Sequence, residues 1–168
     1  MPELMPAERL QPSLLDRLTD DEPGSPRESR DQRFFDVRRL RASVLRDLAW
    51  LLNATNGNCG PAITEHPQAA RSTINFGIPE LAGIGASTID ATELARRVKD
   101  AILHFEPRIL REGLSVVVVA QPEALGSNTL TMRIEGELWA MPAPLRIQVN
   151  TCFDLESGRV LVADGQAR

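Results

Sequence analysis

Leu130-Thr131-Met132-Arg133-Ile134-Glu135-Gly136-Glu137-Leu138-Trp139-Ala140 is the stretch that decides the fold class. Leu130, Met132, Ile134, Leu138 and Ala140 alternate with Thr131, Arg133, Glu135, Glu137 and Trp139. A period of two sends successive side chains to opposite faces, so this is a long strand with one buried and one wet face. Gly136 reads as an interruption of it. Downstream, Pro142 and Pro144 bracket a connection. Leu145, Ile147, Val149, Thr151 and Phe153 then alternate with Arg146, Gln148, Asn150 and Cys152. A turn at Ser157-Gly158 leads into a last short strand, Arg159-Val160-Leu161-Val162. Upstream lies the β-branched run Leu114-Ser115-Val116-Val117-Val118-Val119-Ala120, separated from the first stretch by a turn over Pro122 to Asn128.

Helical spacing dominates the preceding half. From about Asp31 to Asn53, Phe34, Val37, Leu40, Val44, Leu48 and Leu51 recur at steps of three and four, and Leu45 and Leu52 widen the stripe. Arg38, Arg39, Arg41, Arg46 and Asp47 fill the other face, which reads as solvated. The run Asn53 to Pro61 breaks this helix, and a short helix is expected near Gln68–Ser72. Ile78 precedes Pro79 and must be extended or in a turn, so Asn75-Phe76-Gly77-Ile78-Pro79-Glu80-Leu81 is an ordered loop. A second helix starts at Asp90, an N-cap with Glu93 three residues on. It buries Leu94, Val98, Ala101, Ile102 and Phe105 and stops at Glu106-Pro107-Arg108, because proline offers no N–H to continue it. Helices first and antiparallel strands after, joined by short links, predict an α+β fold: two main helices and a short N-terminal helix on a small, mainly antiparallel sheet.

The start of the chain is different. Residues 1–30 read as a flexible arm with one apolar island, Ser13-Leu14-Leu15-Asp16-Arg17-Leu18, and the α+β domain occupies residues 31–165. Thr19 to Arg30 contains no aliphatic or aromatic residue, and such a segment cannot offset an ordering cost of ~1–2 kcal/mol per residue. Leu14, Leu15 and Leu18 therefore form a helical-period apolar patch on a tether, suited to a protein partner.

The chain has 168 residues and a net charge of −4, so nothing marks it as a nucleic-acid binder; its arginines are interleaved with acids, and aromatic residues are few. Two distant cysteines, Cys59 and Cys152, with no metal-ligand spacing, point to a reducing compartment. The N-terminus shows no basic-then-apolar signal sequence, and no stretch reaches the ~20 apolar residues needed to cross a bilayer. A cytoplasmic protein without direct membrane insertion is expected.

No catalytic, cofactor or metal motif stands out. His66 and His104 share no ligand spacing with the cysteines. Glu106-Pro107-Arg108 is the exception: proline stiffens a corner that carries an acid and a base, able to make charge-assisted hydrogen bonds to a partner or an ion pair of its own. A glutamate there could also serve as the general acid of a peptidoglycan-cleaving, lysozyme-like hydrolase, provided a second carboxylate such as Glu80, Glu112 or Glu135 lies ~5–10 Å away.

These residues together resemble the wedge-protein family of contractile phage tails, often labelled lysozyme-like, and within it the TssE subunits of bacterial type VI secretion baseplates. The resemblance is carried by Ser13 to Leu18 before an acidic linker, Leu51-Leu52-Asn53-Ala54-Thr55, Asn75 to Leu81, Phe105-Glu106-Pro107-Arg108-Ile109, Leu130 to Met132, Glu135 to Trp139 and Pro144-Leu145. It implies a structural, non-enzymatic role in a membrane-docked baseplate. Glu106, Pro107 and Arg108 would bind other wedge subunits, and the strands from Leu130 to Phe153 would start the contractile sheath.

Overall fold

The computed structural model describes residues 12–19, 24, 36–57, 63, 65–83, 90–119, 128–140 and 143–165. Residues 1–11, most of the acidic linker, Phe34, Cys59 and most of the Pro122–Asn128 turn lie outside that set. Four strands, β1 (Ser115–Val119), β2 (Thr129–Leu138), β3 (Leu145–Asp154) and β4 (Val160–Asp164), pair antiparallel in chain order as a meander. β2 and β3 pair over their whole length, from Thr129 opposite Asp154 to Leu138 opposite Leu145. β1 covers only the first part of β2's other side, and β4 only the second half of β3.

The period-two pattern has the expected result. Met132, Ile134 and Leu138 on β2 and Ile147, Val149 and Phe153 on β3 are buried, while Arg133, Glu135, Arg146 and Asn150 are exposed. Gly136 does not interrupt β2: it is paired with Ile147 in mid-strand. It lies on the buried face, where a Cβ would meet Ile109 Cγ2 at 3.4 Å and Leu114 Cδ1 at 3.5 Å. The absent side chain makes room for the segment that leads into β1.

Two long helices cover that face. Helix α2 (Val37–Asn53) starts at Asp36, whose carboxylate accepts a hydrogen bond from the Arg39 N–H at 2.7 Å. The described helix thus begins after Asp36, with Val37 exposed, where the spacing alone extended it back to Asp31. Helix α4 (Ala91–Phe105) starts as expected, with Asp90 accepting from the N–H groups of Thr92 and Glu93. The Glu93 carboxylate turns forward to Arg96 and Arg97. α2 packs on β4, α4 on β1, and the helices on each other. Val44, Leu48, Val98 and Ile102 lose all contact with water there, each burial stabilising the fold by roughly 1.5–3 kcal/mol. A one-turn helix α3 (Pro67–Ala70) and a tight turn at Thr73–Asn75 connect the two. The short helix α1 (Leu14–Leu18), capped by Ser13, buries no residue and meets the domain at α2.

Gly77 shows why the Asn75 to Leu81 loop has its sequence. The loop runs beside the end of α2, where the Ile78 N–H donates to Ala54 O and the Asn56 N–H donates to Ile78 O, both at 2.9 Å. Gly77 sits at φ +121°, and a Cβ there would lie 2.2 Å from Ala54 O. Gly77→Ala is expected to lower the unfolding free energy by at least about 2 kcal/mol. A urea titration checks this, and a loss below about 0.5 kcal/mol would contradict the packing described.

Candidate functional site

Helix α4 ends where its hydrogen-bond donors run out. The Glu106 N–H still bonds back to Ile102 O at 2.9 Å, but Pro107 has no N–H, and the chain turns with the Ile109 N–H donating to Glu106 O at 3.1 Å. The turned segment is then joined to the end of β2. The Trp139 N–H donates to Arg108 O at 2.7 Å, and the Leu110 N–H donates to Glu137 O at 2.8 Å. Glu106, Pro107 and Arg108 are therefore held at both ends, by a helix and by the sheet.

Their side chains close the corner from within. Glu106 is 3% exposed. Its Oε1 accepts from the Arg108 backbone N–H at 3.2 Å and from Arg108 Nε at 2.7 Å, and its Oε2 pairs with the guanidinium at 2.5 Å. Arg108 also donates from Nη1 to Ser43 Oγ at 3.1 Å and from Nη2 to Asp47 Oδ2 at 2.5 Å. Ser43 and Asp47 are one turn apart on α2, so a single guanidinium ties the end of α4 to the middle of α2. Burial alone would pull the Arg108 guanidinium down, but the hydrogen bonds and charges of Glu106 and Asp47 outweigh it and hold it raised.

The polar chain continues outward. Asp47 Oδ1 accepts from Arg46 Nε at 2.8 Å, and Arg46 Nη1 donates to Asp16 Oδ1 on α1. The Asp16 carboxylate in turn takes the Ser13 hydroxyl, and the Arg46 guanidinium lies 5.2 Å over the Trp50 ring. The hydrogen bonds of Asp47 and Asp16 raise Arg46 above its ordinary range. Burial pushes Asp16 up, yet the hydrogen bonds from Arg46 and Ser13 prevail and leave its carboxyl lowered. Glu106, Arg108, Asp47, Arg46 and Asp16 thus form one line of alternating charge from the corner to α1.

The residues singled out in sequence fall into two states. Glu106 is sealed; Pro107 is exposed, and Arg108 is half-buried. Leu14, Leu15 and Leu18 are 70%, 42% and 75% exposed on α1, whose Asp16 holds it to α2. Arg41, Arg46 and Asp47 are not a solvated face, as the spacing suggested. Arg41 pairs with Asp164 and donates to Arg146 O at 2.8 Å, and the other two build the chain of charge. Ser43 and Asp47 went unrecognised because their partner is 65 and 61 residues away; their only local signal is an i, i+4 polar pair on the helix.

As to acid chemistry, both Glu106 oxygens act as acceptors, whereas a general acid must present a proton. The carboxylate that shares its arginine is Asp47, while Glu80 accepts from Thr55 Oγ1 at 3.0 Å in a shallow depression that also involves Asn53 and Gly158. Glu112 and Glu135 are exposed. Among the described residues, no group of three histidine, cysteine, aspartate or glutamate side chains could hold a metal ion. His66 and His104 are exposed, the latter with Nδ1 2.7 Å from Asp100 O, and Cys152 is half-buried on β3.

Fold and site together define a small α+β protein whose polar centre is occupied by bonds within the chain and whose apolar helix α1 faces outward. The sequence profile of the family described as "Baseplate wedge protein gp25" matches residues 38–143, and the chain belongs to that family. No curated protein matches the sequence significantly. Membership makes the chain a structural baseplate component that assembles with other baseplate components.

Two measurements test the site. Glu106→Gln keeps the shape but leaves Arg108 short of one buried counter-charge, which is expected to cost roughly 3 kcal/mol of stability; a urea titration showing under ~1 kcal/mol would contradict the bonding described. For α1 the sign follows from the lowered Asp16 carboxyl. Its contribution is present above the ordinary carboxylate range and is lost as pH falls through the depressed value. Amide exchange at Arg17 and Thr19, whose N–H groups bond to Ser13 O and Leu15 O, should be slow at pH 7. It should reach the open-chain rate either on strong acidification or, at pH 7, in Arg46→Met. Equal rates in wild type and Arg46→Met would contradict the link.

Proposed function

We propose that this protein is the wedge subunit of a type VI secretion baseplate that binds the other wedge subunits and starts assembly of the contractile sheath, without catalysing a reaction. One observation carries the reading: Leu14 and Leu18 of α1 stay largely in water and Leu15 is 42% exposed, although an ion pair holds that helix to the body of the domain. An exposed apolar helix face of this kind is the usual anchor for a groove on a partner. The Pro107 ring and the rim of Arg108 offer a second, rigid contact, with Glu106 as the strut behind it. The sheet supports the sheath role through its strand edges, which carry backbone donors and acceptors that an incoming strand can pair with.

The same reading places the protein on the cytoplasmic side of a membrane-docked assembly, reached through its partners. Among the described residues no helix is long and apolar enough to cross a membrane. A lysozyme-like hydrolysis by Glu106 is disfavoured by the two Arg108 bonds that engage its oxygens.

The test is co-purification from a host that carries the secretion system, using a tagged chain. The wild-type protein should bring down the other wedge subunits and the sheath protein. A Leu14→Asp, Leu18→Asp variant should lose the wedge subunits at least tenfold while its melting temperature stays within a few degrees, because neither leucine is buried in the free fold. Undiminished recovery by that variant, or peptidoglycan cleavage that disappears in Glu106→Gln, would overturn the reading.

A further inference from the structure

The charges on the two long helices are settled differently. On α4, Glu93 pairs with Arg96 and Arg97, and Asp100 with Arg96, so that helix neutralises its own exposed face. On the side of α2 that carries α1, the acids are spent within the chain. Asp47 bonds to Arg108 and Arg46, and Asp16 to Arg46. Asp36 is turned back onto the Arg39 backbone N–H as the helix cap. Arg17 and Arg39 are exposed, and among the described residues no ion pair holds either guanidinium. The chain as a whole is acidic, with a net charge of −4, yet this surface presents arginines whose neighbouring acids are already engaged.

Helical spacing decides which apolar groups share that surface. On α1, Leu14, Arg17 and Leu18 stand three and four residues apart on one side, away from Asp16, which faces α2. On α2, Arg39, Arg46 and Trp50 follow one line along the helix, at steps of seven and four. The Arg46 guanidinium joins the two sets: it bonds to Asp16 and lies 5.2 Å over the Trp50 ring. Trp50 is 52% exposed, and Leu14 and Leu18 remain in water. An indole and two leucines thus flank the same arginine, with Arg17 and Arg39 at their margins. Apolar groups one turn apart form a ridge of the kind that packs against another helix.

We propose that Trp50 is the α2 half of the α1 docking site, and that the segment docking there is an acidic amphipathic helix. Apolar side chains of that helix cover Leu14, Leu18 and Trp50, and carboxylates beside them pair with Arg17 and Arg39. The proposal rests on the wedge-binding reading above, which makes a wedge subunit the source of the helix. Two other occupants share its charge. The chain's own run Asp20-Asp21-Glu22 is acidic but has no apolar side chain to cover the leucines or the indole. An anionic membrane would meet two arginines and a helix of five residues, well short of the basic and apolar face that holds an interfacial helix.

The test uses the full-length tagged chain in a host that carries the secretion system. Trp50→Ala should lower recovery of the wedge subunits at least tenfold, while the Arg17 and Thr19 amides of the isolated variant still exchange slowly because α1 keeps its seat. An Arg17→Glu, Arg39→Glu variant should lower recovery at least tenfold at about 0.1 M salt, and its gap to wild type should narrow at about 0.5 M, where exposed charges are screened. Wild-type recovery by either variant overturns this proposal and leaves the wedge-binding reading standing. No wedge subunit with the wild-type chain sinks that reading, and this proposal with it. Fast exchange at Arg17 and Thr19 in Trp50→Ala overturns the contact role of Trp50, since the indole would then only support α1. A melting temperature of the isolated double variant lowered by more than a few degrees assigns the arginines to Asp20-Asp21-Glu22. Wild-type binding to phosphatidylglycerol vesicles that the double variant loses assigns them to a lipid surface. Either result overturns the choice of partner.

Discussion

The arrangement depends on one guanidinium. Arg108 bonds to Glu106 beside it, and to Ser43 and Asp47 on the facing helix, while its own backbone is joined to the end of β2. A buried carboxylate without that partner would carry a desolvation cost of several kcal/mol; with it, the end of one helix, the middle of another and the rim of the sheet become a single rigid junction. Pro107 contributes by ending α4 at the right residue, so that the acid before it and the base after it fold back on the same point. The corner's acid is consequently part of the internal frame, and the surface it supports is made by its neighbours.

Rigidity at that point determines what the rest of the chain can present. Asp47 passes the contact on to Arg46, and Arg46 holds Asp16, so a helix of only five residues, too short to be stable by itself, acquires a fixed seat. Its leucines project from that seat. Across the molecule, α2 both covers the sheet and bonds to its β4 side through Asn53 and Arg41. The polar groups thus serve mostly to place apolar and backbone groups where another protein can reach them, in keeping with a component of an assembly.

Much of this was legible in the sequence, for physical reasons that differ by element. The alternation in β2 and β3, the stripe of Leu40, Val44, Leu48 and Leu51, and the Asp90 cap are local patterns, and each survived contact with the tertiary structure. Gly136 was misread because a glycine in a strand looks like a weakness until the neighbours that need the space, Ile109 and Leu114, are known. The start of α2 was drawn too early because apolar spacing continues past the residue that caps it. At the corner, an acid and a base next to each other were visible, but whether they face outward or each other depends on Ser43 and Asp47. That information lies in helix packing and leaves no mark near residue 106. Asn53 belongs to the same category: it reads as a helix breaker, and only the position of β4 makes it a partner of Val160.

Hydrogen exchange compared between the isolated chain and the same chain within a purified baseplate tests the central claim most directly. An assembly scaffold built on a closed internal junction predicts that Arg17 and Thr19 on α1, already slow in the isolated chain, gain further protection in the baseplate, with the Leu110 amide equally protected in both states. New protection confined to other segments, or a Leu110 amide that exchanges freely in the isolated chain, would contradict it.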